Sequence, residues 1–167
     1  VNFYNFELER IEKERCEFAF EDMRTDKGNC EHFMLKEIYE EPEAIRRTVD
    51  AYLMKSTIEL KLEIDKPEQI YIVACGSAYH AGLVGKKIFS ELLKIPVTVE
   101  TASEFRYRNP LLNSKTPVII ISQSGETADS LAALREAKKL GSKTISVVNV
   151  ANSSIAVESD FVLYTKA

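Results

Sequence analysis

Five short apolar runs, at Ile70–Ala74, residues 97–100, Val118–Ser122, Thr144–Val148 and Phe161–Tyr164, recur from residue 67 to the end of the chain with helical spacing between them. Strands apolar on both faces need cover on both sides, and strands separated by helices pair in parallel. The pattern therefore predicts a flavodoxin-like three-layer α/β sandwich: a five-stranded parallel sheet flanked by helices. The intervening helices are predicted at residues 77–93, from Ser103 for a short stretch, at 127–140 and at 153–157, with Gly141 as a helix C-cap signal.

In such sheets ligands gather where strands end and neighbouring connections diverge. One strand ends in Cys75-Gly76-Ser77-Ala78 and another in Ser122-Gln123-Ser124-Gly125-Glu126-Thr127, each running straight into a helix. A helix N-terminus offers unpaired N–H groups and partial positive charge, so it suits an anion. Ser122, Ser124 and Thr127 add hydroxyl donors and Gln123 adds an amide. The turns lack a Gly-Lys-Ser/Thr ending, which excludes a nucleoside-triphosphate loop and favours a small phosphorylated metabolite. A plainer reading is that these hydroxyls only cap a helix. If the two strands are neighbours, both turns face one pocket, with Gly76 and Gly125 shaping them. Cys75 is read as a small buried hydrophobe ahead of a helix-start reactive thiol, His80 as a structural helix-face residue ahead of one reaching the pocket mouth, and Glu126 as either a proton acceptor or a residue explained by the helix dipole. Arg106 and Arg108 belong either to a solvated loop or to an anion-steering or subunit-contact surface.

The rest of the chain bounds the function. At 167 residues and a formal charge of −4 it suits one sizeable domain and lacks the basic balance that general nucleic-acid binding requires. No apolar run approaches a membrane span and no signal segment opens the chain, so a cytoplasmic location is expected. Cys16, Cys30 and Cys75 form no Cys-x-x-Cys pair and no disulfide framework, and His32 has no partner at metal-ligand spacing. No metal and no cofactor is expected. Residues 16–20 read as a short strand, Asp26-Lys27-Gly28-Asn29 as a turn, and Phe33, Ile38, Ala44, Ile45, Val49, Leu53 and Ile58 as broken apolar stripes around a kink at Pro42, either a linker helix pair or the first helices of the next domain. The chain opens on Val1 and is expected to be part of something longer.

Three segments together carry a resemblance. Ala74-Cys75-Gly76-Ser77-Ala78-Tyr79, residues 102–108 (A-S-E-F-R-Y-R) and residues 122–129 (S-Q-S-G-E-T-A-D) resemble the first sugar isomerase (SIS) domain of the glutamine–fructose-6-phosphate aminotransferases, or glucosamine-6-phosphate synthases. Residues 32–42 resemble the segment joining that family's glutaminase and isomerase halves. The resemblance implies that residues 1–30 end a glutaminase domain, 31–66 form linker helices and 67–167 form the first SIS domain.

It also implies a parent enzyme that converts fructose 6-phosphate and glutamine into glucosamine 6-phosphate and glutamate. Gly76, Ser77, Ser122, Gln123, Ser124 and Thr127 would then bind the sugar phosphate, whether fructose 6-phosphate, glucosamine 6-phosphate or glucose 6-phosphate. Where the family has Cys-Gly-Thr-Ser this chain has Cys75-Gly76-Ser77-Ala78, which removes a hydroxyl at Ala78. The family's catalytic glutamate, histidine and lysine belong to a second SIS domain, so no catalytic residue is assigned here. A homodimer is expected, without nucleic acid or membrane partners. The alternatives are a single-domain SIS phosphosugar isomerase and the sugar-phosphate-sensing half of a transcription regulator.

Overall fold

The structure, a computed structural model, describes residues 2–12, 26–53 and 66–167. The expected strand at 16–20, Cys16 and Ile58 lie outside the described residues. The chain divides into two compact units, Val1–Tyr39 and Glu40–Ala167.

In the first unit, β1 (Phe3–Tyr4) pairs antiparallel with β2 (Arg10–Ile11), setting Phe3 opposite Ile11. Strands of two residues are too short to alternate, so this hairpin left no periodic signal. Its loop is organised by Asn5, whose Oδ1 accepts from the N–H groups of Glu7 (3.0 Å) and Glu9 (2.9 Å). The turn expected at residues 26–29 is present: Gly28 N–H donates to Asp26 Oδ1 at 2.8 Å, and Cys30 N–H to the Lys27 carbonyl.

Phe33–Leu53 forms one helix, α1, that carries Pro42 inside it rather than a break there; the rest of the expected helical segment, residues 54–65, lies outside the described residues. Proline removes one intrahelical donor, and the strong helix formers around it, among them Glu40, Glu41, Glu43 and Ala44, carry the element through.

The second unit contains the predicted sandwich. Its strands are β3 (Ile70–Ala74), β4 (Val97–Thr101), β5 (Val118–Ser122), β6 (Thr144–Val148) and β7 (Phe161–Tyr164), all parallel, in the order β4-β3-β5-β6-β7. Alternation along each strand splits the core into two layers. Ile70, Ile72, Val97, Ile119 and Ile145 pack with Phe89 of α2 (Ser77–Leu93). On the opposite face, Val73, Val118, Ile120 and Val148 pack with Phe105 of α3 (Ala102–Phe105), Ala133, Leu134 and Ala137 of α4 (Ala128–Lys139), and Ile155 of α5 (Ser154–Glu158). The edge of β7 is sealed by α1: Tyr52 hydroxyl donates to the Tyr164 carbonyl (2.8 Å) and accepts from its N–H (2.6 Å). Among the described residues no helix is long and apolar enough to cross a membrane.

At the far end of the sheet from the strand exits, Asp160 accepts from both the N–H and Oγ1 of Thr144, each at 2.8 Å, with Lys138 Nζ at 3.3 Å. Burial alone raises this carboxyl, but the Thr144 bonds and the lysine outweigh it and hold Asp160 below the ordinary aspartate value. A lowered folded value stabilises the protein above the unfolded pKa, and that stability is lost as pH falls through the folded value. Thermal melts of wild type and Asp160→Asn on acidification below about pH 4 should therefore differ, the variant losing stability less steeply. Parallel acid profiles would refute the linkage.

Candidate functional site

The connections after β3 and β5 leave the sheet in opposite senses. From β3 the chain passes through α2 to β4 on one side, and from β5 through α4 to β6 on the other. Tyr71 to Ala74 are in register with Val118 to Ile121, so the two exits are adjacent. This satisfies the neighbour condition that the sequence left open, and it opens a crevice at the carboxyl edge.

A cleft of about 220 Å³ occupies that crevice. Ser77 and Ala78 come from the start of α2, Ser122 from the last position of β5, and Gln123, Ser124 and Thr127 from the turn between β5 and α4. Cys75 and Ile121 form the strand-end wall, and Ser130 contributes from the first turn of α4. A larger groove of about 350 Å³, lined by Val49, Tyr52, Leu53 and Leu163 with Thr48, has apolar walls and none of these polar groups.

The β5–α4 turn is shaped by its own hydroxyls. Ser122, buried at 4% exposure, accepts from Gly125 N–H at 3.1 Å and lies 3.3 Å from Thr127 Oγ1. Ser124 Oγ accepts from Glu126 N–H at 3.2 Å. Backbone bonds from Asn149 N–H to the Gln123 carbonyl and from Ile155 N–H to the Gly125 carbonyl pin the turn to the neighbouring segments. Thr127 is the N-cap residue of α4, yet its side chain makes no capping bond. The first-turn N–H groups of α4 therefore receive nothing from the hydroxyl that normally takes one of them. At α2 the N-cap is Gly76, which has no side chain to offer; its φ of 58° and ψ of −135° lie where a side chain is strained, although a Cβ there would meet nothing within 4 Å. Gly76 shapes the turn from outside the cleft lining.

Glu126 has a different job from the one its position suggested. Its Oε1 accepts from Ser154 N–H at 2.7 Å, so it caps α5 rather than α4, and hydrogen bonding with Ser154 holds it below the usual carboxylate range. Cys75 is half-buried against the core, as expected for a small hydrophobe. Arg108 faces Glu100 at 3.8 Å and Arg106 stacks near Tyr107, and neither is among the residues that line the cleft. His80 is exposed beside Tyr79.

Two buried serines escaped the sequence. Ser130 is 1% exposed and its Oγ has no hydrogen-bond partner among the described residues; Ser153, 3% exposed, is likewise unpartnered among them and lies directly against Gly125. A buried hydroxyl without a partner costs about 1–3 kcal/mol. Nothing in local spacing distinguishes either serine from an ordinary helix-start residue.

The cleft is thus an uncharged cradle in which two helix N-termini converge, suited to an anion that is bound and later released. The SIS domain family model matches residues 63–167. Glutamine–fructose-6-phosphate aminotransferase (isomerizing) from Clostridium acetobutylicum is 51% identical over the whole of this chain, which spans 29% of that relative's length. The C-terminal domain of glucosamine-fructose-6-phosphate aminotransferase from Francisella tularensis superposes on 84% of the chain with a TM-score of 0.78 and 43% identity, using 41% of its own chain. Glucosamine-6-phosphate deaminase from Thermotoga maritima aligns over 75% of this chain and 40% of its own, with a TM-score of 0.59 and 26% identity.

Proposed function

We propose a function from one premise: this chain belongs to the SIS domain family. It is the sugar-phosphate-binding segment of a glutamine–fructose-6-phosphate aminotransferase, an enzyme that makes glucosamine 6-phosphate from fructose 6-phosphate and glutamine. Identity to that enzyme extends over the whole chain, including the residues ahead of the SIS match, which favours this reading over a lone phosphosugar isomerase.

The observation that carries the assignment is the convergence of α2 and α4 on one cleft walled by Ser77, Ser122, Gln123, Ser124 and Thr127. A phosphate dianion there meets hydroxyls, an amide and two helix termini, with Gly76 setting the first turn. Among the described residues the lining carries no lysine or arginine, so affinity is modest and product release stays easy. The segment's contribution to the reaction is positional: it fixes the phosphate end of the hexose so that groups elsewhere act on the other end. No residue of the cleft is assigned an acid or base role.

Calorimetric titration with fructose 6-phosphate and glucose 6-phosphate tests this directly. Replacing Ser122 and Thr127 together by alanine should weaken binding about tenfold or more, since two hydrogen bonds to a charged group are lost. Far-ultraviolet circular dichroism of the double variant checks that the fold is retained. Equal affinity in wild type and a folded double variant would refute the phosphate assignment.

A further inference from the structure

Ser130 stands three residues into α4 with its side chain 1% exposed, on the wall of the cleft, and its Oγ has no partner among the described residues. Helical Cα–Cβ bonds tilt toward the N-terminus, so this side chain leans back over the open end of α4 where Thr127 and the unpaired amides lie. The other buried orphan oxygens among the described residues, on Glu100 and Ser153, are not part of the cleft lining. A buried polar group without a partner calls for an explanation, and one that stands in a binding cleft is explained by an acceptor that arrives with the ligand.

We propose that Ser130 is a further anchoring residue of the cleft, its hydroxyl donating to an oxyanion held at the N-terminus of α4. The proposal rests on reading the cleft as a sugar-phosphate site and adds to it a donor that the sequence motif did not single out. A hydroxyl swings between staggered rotamers at little cost, and the turn toward the anion converts an unsatisfied donor into a charge-assisted bond. Ser130 thereby couples binding to stability: the hydroxyl is a liability without the anion and an asset with it.

The test is Ser130→Ala in the full chain, with calorimetric titration of glucose 6-phosphate and of inorganic phosphate alongside thermal melts without ligand. Both anions should bind about tenfold more weakly, while the ligand-free melting temperature stays level or rises because a methyl replaces an unpartnered hydroxyl. Unchanged affinity for both anions overturns the proposal and leaves the reading of the cleft intact. Loss confined to glucose 6-phosphate overturns it by moving the contact to the sugar, and a fall in ligand-free melting temperature overturns it by making the role structural. Failure of wild type to bind either anion overturns both.

Discussion

Gly125→Ala is expected to destabilise the protein by about 2–5 kcal/mol and to abolish measurable sugar-phosphate binding, through two additive physical terms. Gly125 sits at φ of +67°, a left-handed conformation that costs a residue with a Cβ roughly 1–2 kcal/mol. The new Cβ would also stand 2.0 Å from Ser153 Oγ and 2.5 Å from Ser153 Cβ, an overlap worth about 1–3 kcal/mol once neighbours shift. Ser153 has little room to move: it is 3% exposed, is the N-cap residue of α5, and its carbonyl accepts from Val157 N–H. Relief therefore comes from the turn itself, which displaces Ser122 and Thr127 from the cleft. Urea denaturation measures the loss, and Ser153→Gly in the same background separates the terms, because it removes the obstructing atoms and leaves the backbone strain. A Gly125→Ala protein as stable as wild type, or a double variant no better than the single one, would show that the turn is not packed this way.

Phe105→Ala should cost about 3–5 kcal/mol, the range for emptying a fully buried aromatic site. Phe105 is 0% exposed, meets Tyr71 edge-on with ring centroids 5.8 Å apart, and belongs to the same apolar cluster as Ala133, Leu134 and Ala137 of α4. The cavity would lie under the helix whose N-terminus opens on the cleft, so weaker binding should accompany the loss of stability. Phe105→Leu, which refills most of the volume, should lose less than half as much. Denaturant melts that place Phe105→Ala within about 1 kcal/mol of wild type would show that Phe105 does not fill a rigid site beneath α4.

Both substitutions fall in regions whose secondary structure was legible in the sequence, yet neither effect was. Residues 118–122 announce a buried strand by composition, and Gly125 announces a turn. That Ser153 lies beneath Gly125 depends on the crossing of two segments 28 residues apart, which no local pattern encodes. The same holds for Glu126, whose carboxylate reads as a dipole partner for its own helix and instead caps α5 through Ser154. The N-terminal hairpin leaves no pattern because its strands are two residues long, and helix α1 continues through Pro42 because proline is a strong breaker in isolation but removes only one donor in context.

Hydrophobic periodicity is a property of neighbouring residues, so the sequence by itself determined the five strands, the helices between them, the parallel sandwich and the two hydroxyl-rich turns. Which turns share a wall depends on strand order, set by how whole layers bury apolar area against one another. Only the tertiary structure put β3 beside β5, joined Tyr52 to Tyr164 across 112 positions, and left the Ser130 hydroxyl buried in a cleft without a partner among the described residues. Such pairings arise between residues far apart in the chain, where packing rather than local preference decides what touches what.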